Sequence, residues 1–217
     1  MSIDYIAILD YDHLDNGLFL KTFANAIANH KARGLILHSD SQYTERIMQT
    51  GVMREEARVR AIKDLNNRLV ALFADEGISA IGLNGYQREL LTLSDSGIDV
   101  DVKQLKKLPE QPVLLLSSLI HSEQSNGPVS APLSGVAASL QKALDIEHTF
   151  IFTRSDDSEI IRKELPESLK NVSDREQFTK EHVPEELQES PRPARLISAN
   201  DFRNYPNFKN STLLETA

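Results

Sequence analysis

Short, almost wholly apolar runs recur along this chain, and most are separated by stretches in which apolar residues return every three or four positions. "YIAIL" (5–9), "GLILH" (34–38), "ISAIGL" (78–83), "PVLLLSSLI" (112–120) and "HTFIFT" (148–153) are short, and too apolar to keep one face in water. They read as strands buried on both faces. Between them, Phe19, Phe23, Ala26, Ile27 and His30 share one helical face that Gly34 is expected to end. Ile62, Leu65, Leu69, Leu72 and Phe73 stripe a helix over 54–76 that stops at Gly77, and Leu133, Val136, Ala137, Leu140 and Leu144 mark another. Strands alternating with amphipathic helices imply a mainly parallel sheet covered on both sides, a three-layer α/β/α sandwich.

Other stretches read differently. "GIDVDV" (97–102) alternates as a hairpin strand does, and "HSEQSNGPVSAP" (121–132) reads as a polar loop. After about residue 154 the chain becomes charged and proline-punctuated, and Gly135 is its last glycine. Such a segment is a weak core former. The expected division is therefore 1–156 as the α/β domain and 157–217 as an appendage, solvated or partner-binding, that returns to the sheet through "ARLIS" (194–198) and "STLLET" (211–216).

Composition removes several classes of function. There is no cysteine, which excludes disulfides, thiolate catalysis and Cys-ligated metals. A net charge of −8 argues against a nucleic-acid partner, because phosphate backbones are held by clustered Lys and Arg. No apolar run approaches the roughly 18 residues of a membrane span, and residues 1–9 lack the pattern of a secretory signal, so a cytoplasmic protein without membrane association is expected. The six histidines include no pair at i,i+4 spacing, so no metal site is expected from them.

Two polar clusters follow apolar strands, where ligands of open α/β sheets bind. In "ILDYDHLDNG" (8–17), Asp10 and Asp12 stand two residues apart; in "HSDS" (38–41), His38, Ser39 and Ser41 stand where a helix is expected to open. Each reads either as a solvated or capping turn or as a site, the second for a small anion held by hydroxyls at a helix N-terminus.

The order of elements resembles the amino acid kinase family, most of all its acetylglutamate kinase branch. "LNNRLVALFADEGISAIGLNG" (65–85) is similar to that branch's helix-strand-turn block, and "IDVDVKQLKKLPEQPVLLLSS" (98–118), "VAASLQKAL" and "FIFTRSD" follow in its order, so the likeness covers roughly residues 3–156. It implies a carbamate kinase-like fold, homodimerisation through the long helix and a sheet edge, and a small carboxylate ligand near His38, Arg54, Asn66 and Gly85. ATP and Mg²⁺ would be needed only if the chain were a divergent kinase of a small carboxylate such as N-acetylglutamate.

The family's lysine and glycines after strand one correspond to "ILDYD" (8–12), and its glycines after strand two to "LHSDS" (37–41). Neither place keeps the cation or the glycines that cradle a phosphate. The resemblance therefore implies a catalytically impaired member acting in binding, regulation or assembly, with no cofactor expected. "ILDYDHLDNG" also resembles the first motif of the haloacid-dehalogenase-like phosphatases, in which Asp10 would be the nucleophile and Asp12 the acid/base, with Mg²⁺ screening the charges.

Overall fold

The computed structural model describes residues 3–30, 32–40, 44, 50–51, 54–110, 113–154, 164–188 and 193–214. In chain order the named elements are β1 (Tyr5–Leu9), α1 (Tyr11–Leu14), α2 (Gly17–Ala28), β2 (Gly34–His38), α3 (Glu55–Asp75), β3 (Ala80–Asn84), β4 (Leu91–Ser94), β5 (Gly97–Val100) and α4 (Val102–Lys106). There follow β6 (Val113–Ser117), β7 (Leu119–Ser122), β8 (Gly127–Ser130), α5 (Leu133–Leu144), β9 (Thr149–Phe152), α6 (Arg175–His182), β10 (Ala194–Ile197), α7 (Ala199–Phe202) and β11 (Ser211–Leu214).

Seven strands form one sheet in the order β11-β10-β9-β1-β2-β6-β3, parallel throughout except for β11. Side chains alternate between its two faces with period two. Tyr5, Ala7, Leu9, Phe150 and Phe152 join one core with Phe23, Leu69, Phe73 and Phe202, while Ile6, Ile8, Leu35, Leu37 and Ile151 join the other with Val136, Leu140 and Leu196. Both faces are dry, which is why these strands read as unbroken apolar runs.

Three expectations change. The first helix ends at Ala28 with Asn29 as its cap, and Gly34 instead opens β2. A Cβ there would lie 2.3 Å from the Tyr5 ring, so packing and not helix termination requires the glycine. The stretch read as a polar loop contains β7, from Leu119, and β8, a hairpin within a four-stranded sheet ordered β5-β4-β7-β8. Finally, the charged C-terminal segment is not simply solvated. Phe178, Val183 and Leu187 are buried in the same core as Ile6 and Ile8, while β10 and β11 join the main sheet as expected.

Candidate functional site

The parallel strands deliver Asp10, Ser39, Ser117 and Thr153 to a common edge, at their C-terminal ends. β1 lies between β2, which follows it in sequence, and β9, which arrives much later, so the switch in strand order falls there. A cleft of about 470 Å³ opens beside this point, lined by Tyr11, Ser39, Asp40, Arg58, Ser130, Ala131, Pro132, Glu185 and Glu186.

Its electrostatics are acidic. Among the described lining residues Asp40, Glu185 and Glu186 face one cation, Arg58, whose Nε donates to Asp40 Oδ2 at 2.9 Å. Behind them Asp10 is fully buried, with neither carboxyl oxygen in a well-formed hydrogen bond among the described residues. Burial, then the charges of Glu186 and Asp12, push its carboxyl up to about 8, against partial relief from the Tyr11 and Asp12 N–H groups. Asp10 therefore carries its proton at neutral pH. An attacking nucleophile would have to be ionised, which this carboxyl would reach at neutral pH only with a cation beside it. Asp12 lies partly exposed on α1, one residue beyond Tyr11.

Glu186 comes from the 3₁₀ turn Glu185–Leu187 in the C-terminal segment. Its Oε1 accepts the backbone N–H of Leu133 at 3.0 Å, the first residue of α5. The N-cap of α5 is Pro132, which has no side-chain acceptor, so a carboxylate distant in sequence performs the capping. Helix N-termini attract anions. Here the anion is a side chain of the same protein, and its own pKa is raised by burial and by Asp40 against the opposing pull of the Leu133 N–H.

A second polar cluster lies over β2, β6 and β3. His38 is fully buried, and its Nδ1 donates to the Ser39 carbonyl at 2.8 Å. Asn66 of α3 donates its amide to His38 Nε2 at 2.8 Å and reaches the Leu115 and Leu83 carbonyls at 3.2 and 3.3 Å. Gly82 makes room for Asn66, since a Cβ there would lie 2.3 Å from its Oδ1. Desolvation holds the His38 imidazole down to about 4, in its neutral form.

His38 and Asn66 are thus brought together, but as partners of one another inside the core. Ser39 lines the acidic cleft, and Ser41 lies outside the described residues. Arg54 is the exposed N-cap of α3, while Arg58, one turn further on, faces the cleft. Gly85 is buried against β7: a Cβ would meet the Leu119 carbonyl oxygen at 2.6 Å. Sequence reasoning missed Asp40, Arg58 and Glu186. Only the apolar Val183 and Leu187 flanking "PEE" hint that this part of the charged run is held down.

The sequence matches no protein-family model and no curated protein. The fold does have solved counterparts. N-acetylglutamate synthase from Neisseria gonorrhoeae, complexed with coenzyme A and N-acetyl-glutamate, superimposes with a TM-score of 0.63 at 16% identity over 98% of this chain and 60% of that one. Isopentenyl phosphate kinase gives 0.60 at 13% identity, over 96% and 98% of the two chains. E. coli aspartokinase III in complex with lysine and aspartate gives 0.65 at 12% identity, over 100% and 65%. This chain has the amino acid kinase fold. It spans about three fifths of the synthase and nearly all of isopentenyl phosphate kinase.

Members of this fold that use ATP and Mg²⁺ need cations and N–H donors around the transferred phosphoryl group. The described lining does not fit that demand: three acids outnumber the cation, which is paired to one of them, and the α5 N-terminus is capped by Glu186. Nor does any group of three described His, Asp or Glu side chains converge to hold a metal ion. No helix among the described residues is long and apolar enough to cross a membrane.

Proposed function

We propose that this amino acid kinase-fold protein does not transfer phosphoryl groups and serves instead as a binding, regulatory or assembly subunit, akin to an acetylglutamate kinase with a disabled phosphate site. One observation carries the reading. The Glu186 carboxylate holds the α5 N–H that would otherwise face an incoming anion, with the buried carboxyl of Asp10 beside it. A triphosphate entering there would meet negative charge where it needs positive, at about 4 kcal/mol per charge pair 4 Å apart at an effective dielectric of 20.

The test is thermal unfolding of the full chain with and without Mg·ATP, alongside a phosphotransfer assay with N-acetylglutamate. A site that bound nucleotide at 100 times its Kd would add about 2.7 kcal/mol of stability. We expect no shift and no product. A clear shift accompanied by turnover would replace this reading with that of a divergent carboxylate kinase.

Assembly is the second part of the proposal. β3 is an edge of the seven-stranded sheet, with Ile81 and Leu83 half-buried and Gly82 exposed, and α3 packs beside it. A second copy of the chain docking along β3 and α3 would cover that edge. Light scattering coupled to gel filtration checks this, with a dimeric mass expected and a monomeric one overturning it.

A further inference from the structure

At the far end of the same sheet edge lies a second cleft, about 960 Å³, between the end of β3, the 3₁₀ turn Gln87–Glu89 and α4. We propose that it binds a small organic anion, with an oxyanion head between Arg88 and Lys107 and an apolar body on Leu83, Leu90 and Leu108.

The charge pattern is the first argument. Arg88 and Lys107 both line the cleft, and neither is ion-paired to a described residue. The acid among the described lining residues is Asp101, and it is already engaged. Its Oδ1 accepts the Gln104 N–H at 3.0 Å as the cap of α4, and its Oδ2 accepts Gln104 Nε2 at 2.8 Å. In a chain of net charge −8, a described lining with two cations to one acid is the reverse of the molecule's overall balance.

Geometry is the second argument. Gln104 Nε2 also donates to the Arg88 carbonyl at 2.7 Å, tying the turn that carries one cation to the helix whose C-cap, Lys107, is the other. Arg88 and Glu89 both have positive φ, 55° and 57°, a region non-glycine residues seldom enter. Gln87 Oε1 accepts the Asn84 N–H at 3.3 Å. That leaves the Gln87 amide N–H₂ as a further donor. A guanidinium, an ammonium and an amide beside leucine side chains form a receptor for a carboxylate or phosphate ester with a hydrocarbon portion.

Ligand-observed saturation-transfer NMR on the full chain, with hexanoate, phenyl phosphate and neutral hexanol as probes, tests this. Hexanoate, phenyl phosphate or both should bind, which also identifies the preferred head group, and hexanol should not. Arg88→Gln and Lys107→Gln should each weaken the bound anion about tenfold. Glu186→Gln, in the acidic cleft, should leave it unchanged, so the result stands apart from the outcome of the nucleotide test. Failure of both anions to bind, equal binding of hexanol, or undiminished binding in the Arg88→Gln/Lys107→Gln double variant would overturn the assignment.

Discussion

The two buried polar clusters at the C-terminal edge of the main sheet lie in adjacent strands, yet they obey opposite rules. Around His38 and Asn66 both ring nitrogens have partners and the amide serves three acceptors, so the cluster knits α3 to β2, β6 and β3. Around Asp10 and Glu186 like groups face each other, and the Asp10 carboxyl has only partial relief, from the Tyr11 and Asp12 N–H groups and from Glu186, with neither oxygen in a well-formed hydrogen bond among the described residues. Satisfied polar groups hold a fold together. Unsatisfied ones keep it responsive to protons and ions.

Removing the satisfied cluster should have the largest effect. Asn66→Ala leaves His38 Nε2 and two carbonyls short of a donor, and should cost about 3 kcal/mol in denaturant unfolding. Its effect should be nearly independent of pH above about 7.5, because His38 is neutral there in both states.

Next comes the pH dependence of the unsatisfied cluster. The Asp10 carboxyl, ordinarily near 3.8, sits near 8 when folded, so between those values the native state holds an extra proton. Stability should therefore fall as pH rises, by on the order of 2 kcal/mol from pH 6.5 to 8. Acid works the other way. His13 and His38 are both held down to about 4, so the unfolded chain takes up their protons first and stability drops as pH falls below 6.5. An optimum near pH 6.5 follows, and Asp10→Asn should abolish the alkaline limb and steepen the acid limb, which the Asp10 proton otherwise partly offsets. A flat wild-type profile from pH 6.5 to 8 would mean that Asp10 is ionised.

Smaller again is Glu186→Ala. Loss of the α5 cap should cost about 1 kcal/mol at pH 6. The alkaline limb should also level off at lower pH, because one of the charges that raise Asp10 is gone. The smallest effect is expected at Arg88→Gln, within about 0.5 kcal/mol, since an exposed side chain with no ion-pair partner among the described residues contributes little to stability.

Legibility in the sequence followed burial. β1, β2, β6 and β9 could be read because both faces of the sheet are dry, and the stripes of α3 and α5 because they cover it. β7 and β8 were harder, since Ser122, Gly127 and Ser130 belong to a small, half-exposed sheet whose residues resemble those of a loop. Asp10 and His38 could be located at strand ends, but not which would be satisfied: Asn66 comes from a helix and Glu186 from a charged run. Only the strand order brings these partners together. A lone glutamate among many carries no mark of its destination.

One consequence concerns the order of synthesis. The residue that caps α5 belongs to a segment made after five of the seven strands of the main sheet, and it is held down by Phe178, Val183 and Leu187. While the chain is still emerging, the mouth of that helix stands open to any dissolved oxyanion. Capping of α5 thereby doubles as a signature that the segment carrying Glu186 has docked.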